Sequence, residues 1–144
     1  MRILVSACLL GENCKYNGKN NRNETLLRRL QGHEVVPVCP EVLGGLGVPR
    51  PCVELRDGVA YNQYGENVDA AFHAGVDKAL AQIAGQQIDL VILQSRSPTC
   101  GVKQIYDGTF SKHLIDGQGM LAAALQARGY RLADVEDIDG VPEL

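Results

Sequence analysis

Short strand-like runs, the first of them apolar and rich in branched residues, punctuate this chain, and stretches long enough to hold a helix separate them. Arg2–Ala7, Glu34–Val38, Leu90–Leu93 and Tyr130–Val135 read as strands. Continuous rather than alternating hydrophobicity is the mark of strands buried on both faces, as in a parallel sheet. Parallel neighbours need crossovers of a dozen residues or more, usually helical. Glu24–Gln31 supplies one, with Leu26, Leu27 and Leu30 at helical spacing, Asn23 as cap and Gly32 as stop. Asn67–Ala84 is the longest, with Val68, Ala71, Phe72, Val76, Ala79, Leu80 and Ile83 on one face and Gly85 at its end. Met120–Ala127 is the last, with Gly129 as its stop. The order predicts an α/β fold: a single Rossmann-like three-layer domain spanning residues 1–144 with a mostly parallel sheet. A chain of 144 residues is long enough for one proper core.

Other segments depart from this alternation. Val53–Arg56 and Val59–Asn62 flank Asp57-Gly58, a two-residue hairpin signal. Leu9–Asn23 is polar and rich in Gly and Asn, and Pro40–Pro51 is rich in Gly and Pro, so both read as loops. Gln94–Gly119 reads as one long irregular loop, a length that is uncommon in a compact domain and often functional. No repeat or low-complexity tract is present. The first strand runs into Cys8-Leu9-Leu10-Gly11 and not into a glycine fingerprint opening a helix, so a dinucleotide cofactor has no support.

Charge narrows the partners. Fourteen Lys and Arg against seventeen Asp and Glu leave a net charge of −3, without the basic footprint of a duplex nucleic-acid binder. Lys15, Lys19, Arg22, Arg28 and Arg29 read as a solvated loop and helix face. No apolar run reaches the length of a membrane span, and the start of the chain has no signal-peptide pattern. A cytoplasmic location is expected. Cysteines there stay reduced, so five of them, an odd count, point to metal or catalysis and not to structural disulfides.

Three of the five stand where predicted strands end. Cys8 follows the first, Cys39 follows the second, and Cys100 lies a short loop beyond the third. In an open parallel sheet the carboxyl ends line one crevice, and ligands bind there. There is no Cys-x-x-Cys pair, which argues against zinc-ribbon and thioredoxin readings. Iron–sulfur clusters require only that thiolates converge in space. Pro40, Pro98 and Gly101 beside these cysteines leave room and fix the backbone. The plain alternative is that each is a small buried hydrophobe.

Other groups could act beside such a centre. Ser97, three residues before Cys100, offers a hydroxyl that donates a proton, positions a water, or merely caps the loop. Glu41, two residues after Cys39, is a candidate general acid or base. Arg50, held between two prolines, could present a planar fork to a polar ligand, and Glu54 and Asp107 are weaker carboxylate candidates. His33, His73 and His113 lie in no ligand-like spacing.

The motifs in combination resemble the thiouracil desulfidase family. They are Ser6-Ala7-Cys8-Leu9-Leu10-Gly11, Cys14-Lys15-Tyr16-Asn17-Gly18, Cys39-Pro40-Glu41-Val42-Leu43-Gly44-Gly45-Leu46 with Pro49-Arg50-Pro51, Ser95-Arg96-Ser97-Pro98-Thr99-Cys100-Gly101, and Ile105-Tyr106-Asp107-Gly108. The resemblance runs in order over nearly the whole chain. It implies a [4Fe-4S] cluster held by Cys8, Cys39 and Cys100, with catalytic roles for Ser97 and Glu41. Cys14 and Cys52 are then spare. Arg50 and Asp107 remain as candidates for binding substrate. Asn17 stands where the family often has Asp, and Gln94 where it often has Lys.

The activity implied is non-redox removal of sulfur from a thiolated pyrimidine of the 2- or 4-thiouracil type, giving the oxo base and sulfide. Rival readings are a mononuclear metal hydrolase, a non-catalytic cluster or sulfur carrier, and a desulfidase acting on thiouridine in or from transfer RNA. Either a monomer or a small homo-oligomer fits the sequence.

Overall fold

A computed structural model describes all 144 residues. Its centre is a four-stranded, wholly parallel sheet built from β1 (Arg2–Ser6), β2 (Glu34–Val38), β5 (Leu90–Leu93) and β8 (Leu132–Asp134), in the order β2-β1-β5-β8. Between them come α1 (Glu24–Arg29), α2 (Pro40–Leu43), the hairpin of β3 (Val53–Arg56) and β4 (Val59–Asn62), α3 (Asp69–Ile83), a second hairpin of β6 (Gln104–Tyr106) and β7 (Leu114–Asp116), and α4 (Met120–Ala127). The fold is α/β with a parallel sheet, as the alternation predicted.

Both faces of the sheet are covered, which is why Ile3–Val5 of β1 and Leu90–Leu93 of β5 are apolar without alternation. Leu4, Val91 and Leu93 pack on one face against Val76, Ala79 and Ile83 of α3 and Leu121 and Leu125 of α4. Ile3, Val5, Leu90 and Ile92 pack on the other against Leu26 and Leu30 at α1 and Val135 and Ile138 near the C-terminus. β5 is buried at all four positions. Asn23 caps α1, its side chain accepting from Leu26 N at 2.9 Å.

Three expectations are corrected. The first strand stops at Ser6, and Ala7–Leu10 form a 3-10 turn. Pro40–Pro51 is not all loop, because Pro40 opens the single turn of α2; a fixed φ and a missing N–H suit proline to a first helical position. Gln94–Gly119 is not one irregular loop, because β6 and β7 pair antiparallel within it, Gln104 opposite Asp116. Three-residue strands are too short for alternation to reveal.

α2 is held against α3 by two glycines. A Cβ on Gly75 would lie 1.9 Å from the Pro40 carbonyl oxygen, and one on Gly44 would lie 2.3 Å from that of Ala71. The short helix that follows Cys39 therefore rests directly on the backbone of α3.

Candidate functional site

β1 is joined to β2 on one side and β5 on the other, so successive crossovers leave it in opposite directions. A crevice opens outside the carboxyl ends of the strands at such a reversal. Here it is a cavity of about 450 Å³. The three neighbouring strands β2, β1 and β5 each deliver a cysteine to it. Cys39 caps α2 directly after β2, Cys8 lies in the 3-10 turn directly after β1, and Cys100 follows β5. Ser6 Oγ accepts from Gln94 N at 3.0 Å, tying the ends of β1 and β5 together.

All five cysteines are free thiols. Burial pushes the Cys100 thiol up to about 12, and burial also raises Cys8. Asn21 Nδ2 donates to Cys8 Sγ at 3.5 Å. Cys39 moves the other way. The adjoining Cys14 thiol hydrogen-bonds to it and holds it below the ordinary thiol range, while Cys14 itself is raised. The Cys39 thiol also lies 3.9 Å from the Cys14 carbonyl oxygen. Cys14 and Cys52, spare in sequence terms, both line the cavity.

Glu41, Arg50 and Ser97 share this cavity with the three cysteines. Glu41 Oε1 meets Arg50 Nε at 3.4 Å, with the arginine side chain 4% and the glutamate side chain 14% exposed. Arg50 also donates to Gly47 O at 2.9 Å and to Cys14 O at 2.8 Å. Its fork thus braces the Glu41 carboxylate and the Cys14 loop. Ser97 Oγ accepts from Cys100 N at 3.0 Å and Thr99 N at 3.2 Å, so the hydroxyl does cap its own loop while facing the cavity.

Asp107 is not among the cavity-lining residues; its carboxylate accepts from Thr109 N and Thr109 Oγ1, at 2.9 and 2.6 Å. Glu54 lines the cavity and accepts from Gly108 N and Phe110 N, at 3.0 and 3.1 Å, which clasps the β6–β7 loop, whose Phe110 and Lys112 also line the cavity. Arg96, Phe110 and Lys112 line the cavity with φ of 63°, 56° and 63°. Non-glycine residues held there are strained, and such strain gathers at working sites.

The sequence reading passed over Thr99, which is 1% exposed and joins the site's other groups. Its Oγ1 lies 3.1 Å from Ser97 Oγ, 3.2 Å from Glu41 Oε2 and 3.6 Å from Cys100 Sγ. Its place beside a candidate ligand in Ser97-Pro98-Thr99-Cys100 was the available signal.

The donor set can be tested against possible centres. No three His, Cys, Asp or Glu side chains gather around one point as a single ion needs. Three thiols lining one cavity are a donor set for a sulfur-bridged iron centre, whose ligands are thiolates. Buried thiols that hold their protons tightly release them when they coordinate a metal. The residues therefore fit a cluster.

Fold and site together define a class: an α/β protein with a thiol-lined cavity at the switch point of its parallel sheet. The family described as 2-thiouracil desulfurase matches residues 3–137, and the chain belongs to that family. The uncharacterized protein YbbK of Bacillus subtilis (strain 168) is 35% identical over 149 aligned positions, covering 96% of this chain and 99% of that protein. Among solved structures, the [4Fe-4S]-dependent thiouracil desulfidase TudS is similar, with a TM-score of 0.90 and 33% identity. The match covers 97% of this chain and 94% of that one.

Proposed function

We propose that this protein is a desulfidase: a single Rossmann-like domain that replaces the sulfur of a thiolated pyrimidine of the 2- or 4-thiouracil type with oxygen. The observation that carries the reading is the convergence of Cys8, Cys39 and Cys100 on one cavity with Glu41 and Ser97 beside them. Membership of the 2-thiouracil desulfurase family and the likeness to TudS support it.

Cys8, Cys39 and Cys100 would hold a [4Fe-4S] cluster, which supplies, when bound, an iron with no protein ligand, a Lewis acid soft enough for sulfur. The reaction consumes one water and releases one sulfide; the ring carbon keeps its oxidation state, so no electron donor is needed. The protein's own part is proton handling and exclusion of bulk water. Glu41 and Ser97 would take protons from an attacking water and return them to the leaving sulfur. Arg50 holds Glu41 facing the cavity. Val38, Val53 and Pro98 give the cavity apolar walls against which a flat ring can lie.

Anaerobically purified protein should convert 2-thiouracil or 4-thiouracil to uracil with one sulfide per turnover and no added reductant. Glu41→Gln and Ser97→Ala should keep the iron and lose about 10²- to 10⁴-fold in kcat, the usual worth of general acid–base catalysis. No sulfide from either base would overturn the reading, and full activity in both variants would move the catalytic groups elsewhere.

A further inference from the structure

We infer that Thr99 is the positioning residue that joins Ser97 to Glu41 as one proton path, an inference that rests on the desulfidase reading above. Counting lone pairs and hydrogens fixes the direction of the path. A serine hydroxyl has one hydrogen and two lone pairs. Ser97 Oγ already accepts from two backbone N–H groups, those of Thr99 and Cys100. Its own hydrogen is left to point at the remaining neighbour, Thr99 Oγ1, at 3.1 Å. Thr99 Oγ1 then accepts from Ser97 and has one hydrogen to give. Glu41 Oε2 stands at 3.2 Å and Cys100 Sγ at 3.6 Å. The carboxylate oxygen is nearer and is a stronger acceptor than a sulfur, so the Thr99 hydrogen belongs to Glu41. The other carboxylate oxygen is held by Arg50, which keeps Oε2 turned toward Thr99.

The path works as a concerted shift. The Ser97 O–H bond breaks as a Thr99 O–H bond forms, and the original Thr99 O–H bond breaks as a Glu41 O–H bond forms. Ser97 is left as an alkoxide facing the cavity, steadied by its two backbone N–H donors as an oxyanion would be. It can then take a proton from water attacking the ring carbon and pass that proton to the departing sulfur, while the reverse shift from Glu41 through Thr99 refills the Ser97 hydroxyl and leaves Glu41 as it began. Thr99 is unchanged at the end of the cycle. At 1% exposure it gives the proton no detour through solvent.

The test compares Thr99→Val, which keeps the shape without the hydroxyl, with Thr99→Ser, which keeps the hydroxyl. Both are assayed for iron, kcat, KM and cluster midpoint potential beside Glu41→Gln and Ser97→Ala. The expected result is normal iron, little change in KM, about a 10²-fold loss of kcat in Thr99→Val, and recovery to within a few-fold of wild type in Thr99→Ser. The midpoint potential should not move in Thr99→Val, because the hydroxyl serves Glu41 and not the Cys100 sulfur. A shifted potential with kcat retained would overturn the inference and assign Thr99 to the thiolate. Should Thr99→Val fail to fold, the single-turnover rate of the wild-type enzyme in mixed H2O and D2O decides. A curved dependence on deuterium fraction shows several protons moving together, and a linear one overturns the path. No sulfide from either thiouracil with the wild-type enzyme would bring down the underlying reading, whereas turnover in the wild type with kcat unchanged in Thr99→Val would bring down the path alone, which separates the two failures.

Discussion

At the scale of single residues, the thiols of this cavity are not equivalent. Cys39 is half-buried, and the hydrogen bond from the Cys14 thiol, helped by the Val42 N–H, favours its thiolate. Cys100 is buried, and loss of solvation favours its thiol. The thiolate is the reactive form. In metal-free protein, as pH rises, Cys39 should therefore begin to react with iodoacetamide at a lower pH than Cys8, and Cys100 should be the last of these three to react. Peptide mapping of alkylated protein at stepped pH checks the order, and first reaction at Cys100 would contradict it. The residue scale is also where the sequence was most and least readable. Cys8, Cys39, Cys100, Glu41, Ser97 and Arg50 could all be picked as candidates from their neighbours, and all six line one cavity. Their hydrogen bonds could not be read, because loop backbones decide them. Arg50 meets Cys14, thirty-six positions away, and Thr99 meets Glu41 across fifty-eight. Nothing local specifies either contact.

At the scale of elements, the site depends on how close α2 can come to α3. Glycine at 44 and 75 lets the two backbones touch, and that contact fixes where Cys39 and Glu41 sit. Gly75→Ala gains up to about 1 kcal/mol of helix propensity but places a methyl against the Pro40 carbonyl. Overpacking of this kind costs about 1–3 kcal/mol, so the denaturant midpoint should fall; an unchanged midpoint would mean that α2 yields freely. Elements with strong local signals were readable from sequence. The Asp57-Gly58 hairpin and Met120–Ala127 lie where the sequence placed them. The longest helix starts two residues later and ends one residue earlier than its sequence pattern indicated. The elements that escaped are the ones local pattern cannot specify. α2 is a single turn settled by tertiary packing, and β6 and β7 are three-residue strands defined by each other and by the Glu54 clasp.

At the scale of the molecule, strand order does what no motif does alone. The sequence places cysteines after three strands, and the order β2-β1-β5-β8 makes those three strands neighbours. A cluster bound there would tie both sides of the switch point, so ligand binding and fold stability should be linked. The longest helix has 15 residues, and no helix is long and apolar enough to cross a membrane. The most direct test of the whole account is the iron and acid-labile sulfide content per chain after purification without oxygen, for the wild type and for Cys8→Ser, Cys39→Ser and Cys100→Ser, with Cys52→Ser as a control. About four irons with matching sulfide in the wild type and the control, and loss in each of the other three, is the predicted result. Zinc in place of iron, or full iron in all three ligand variants, would contradict the account.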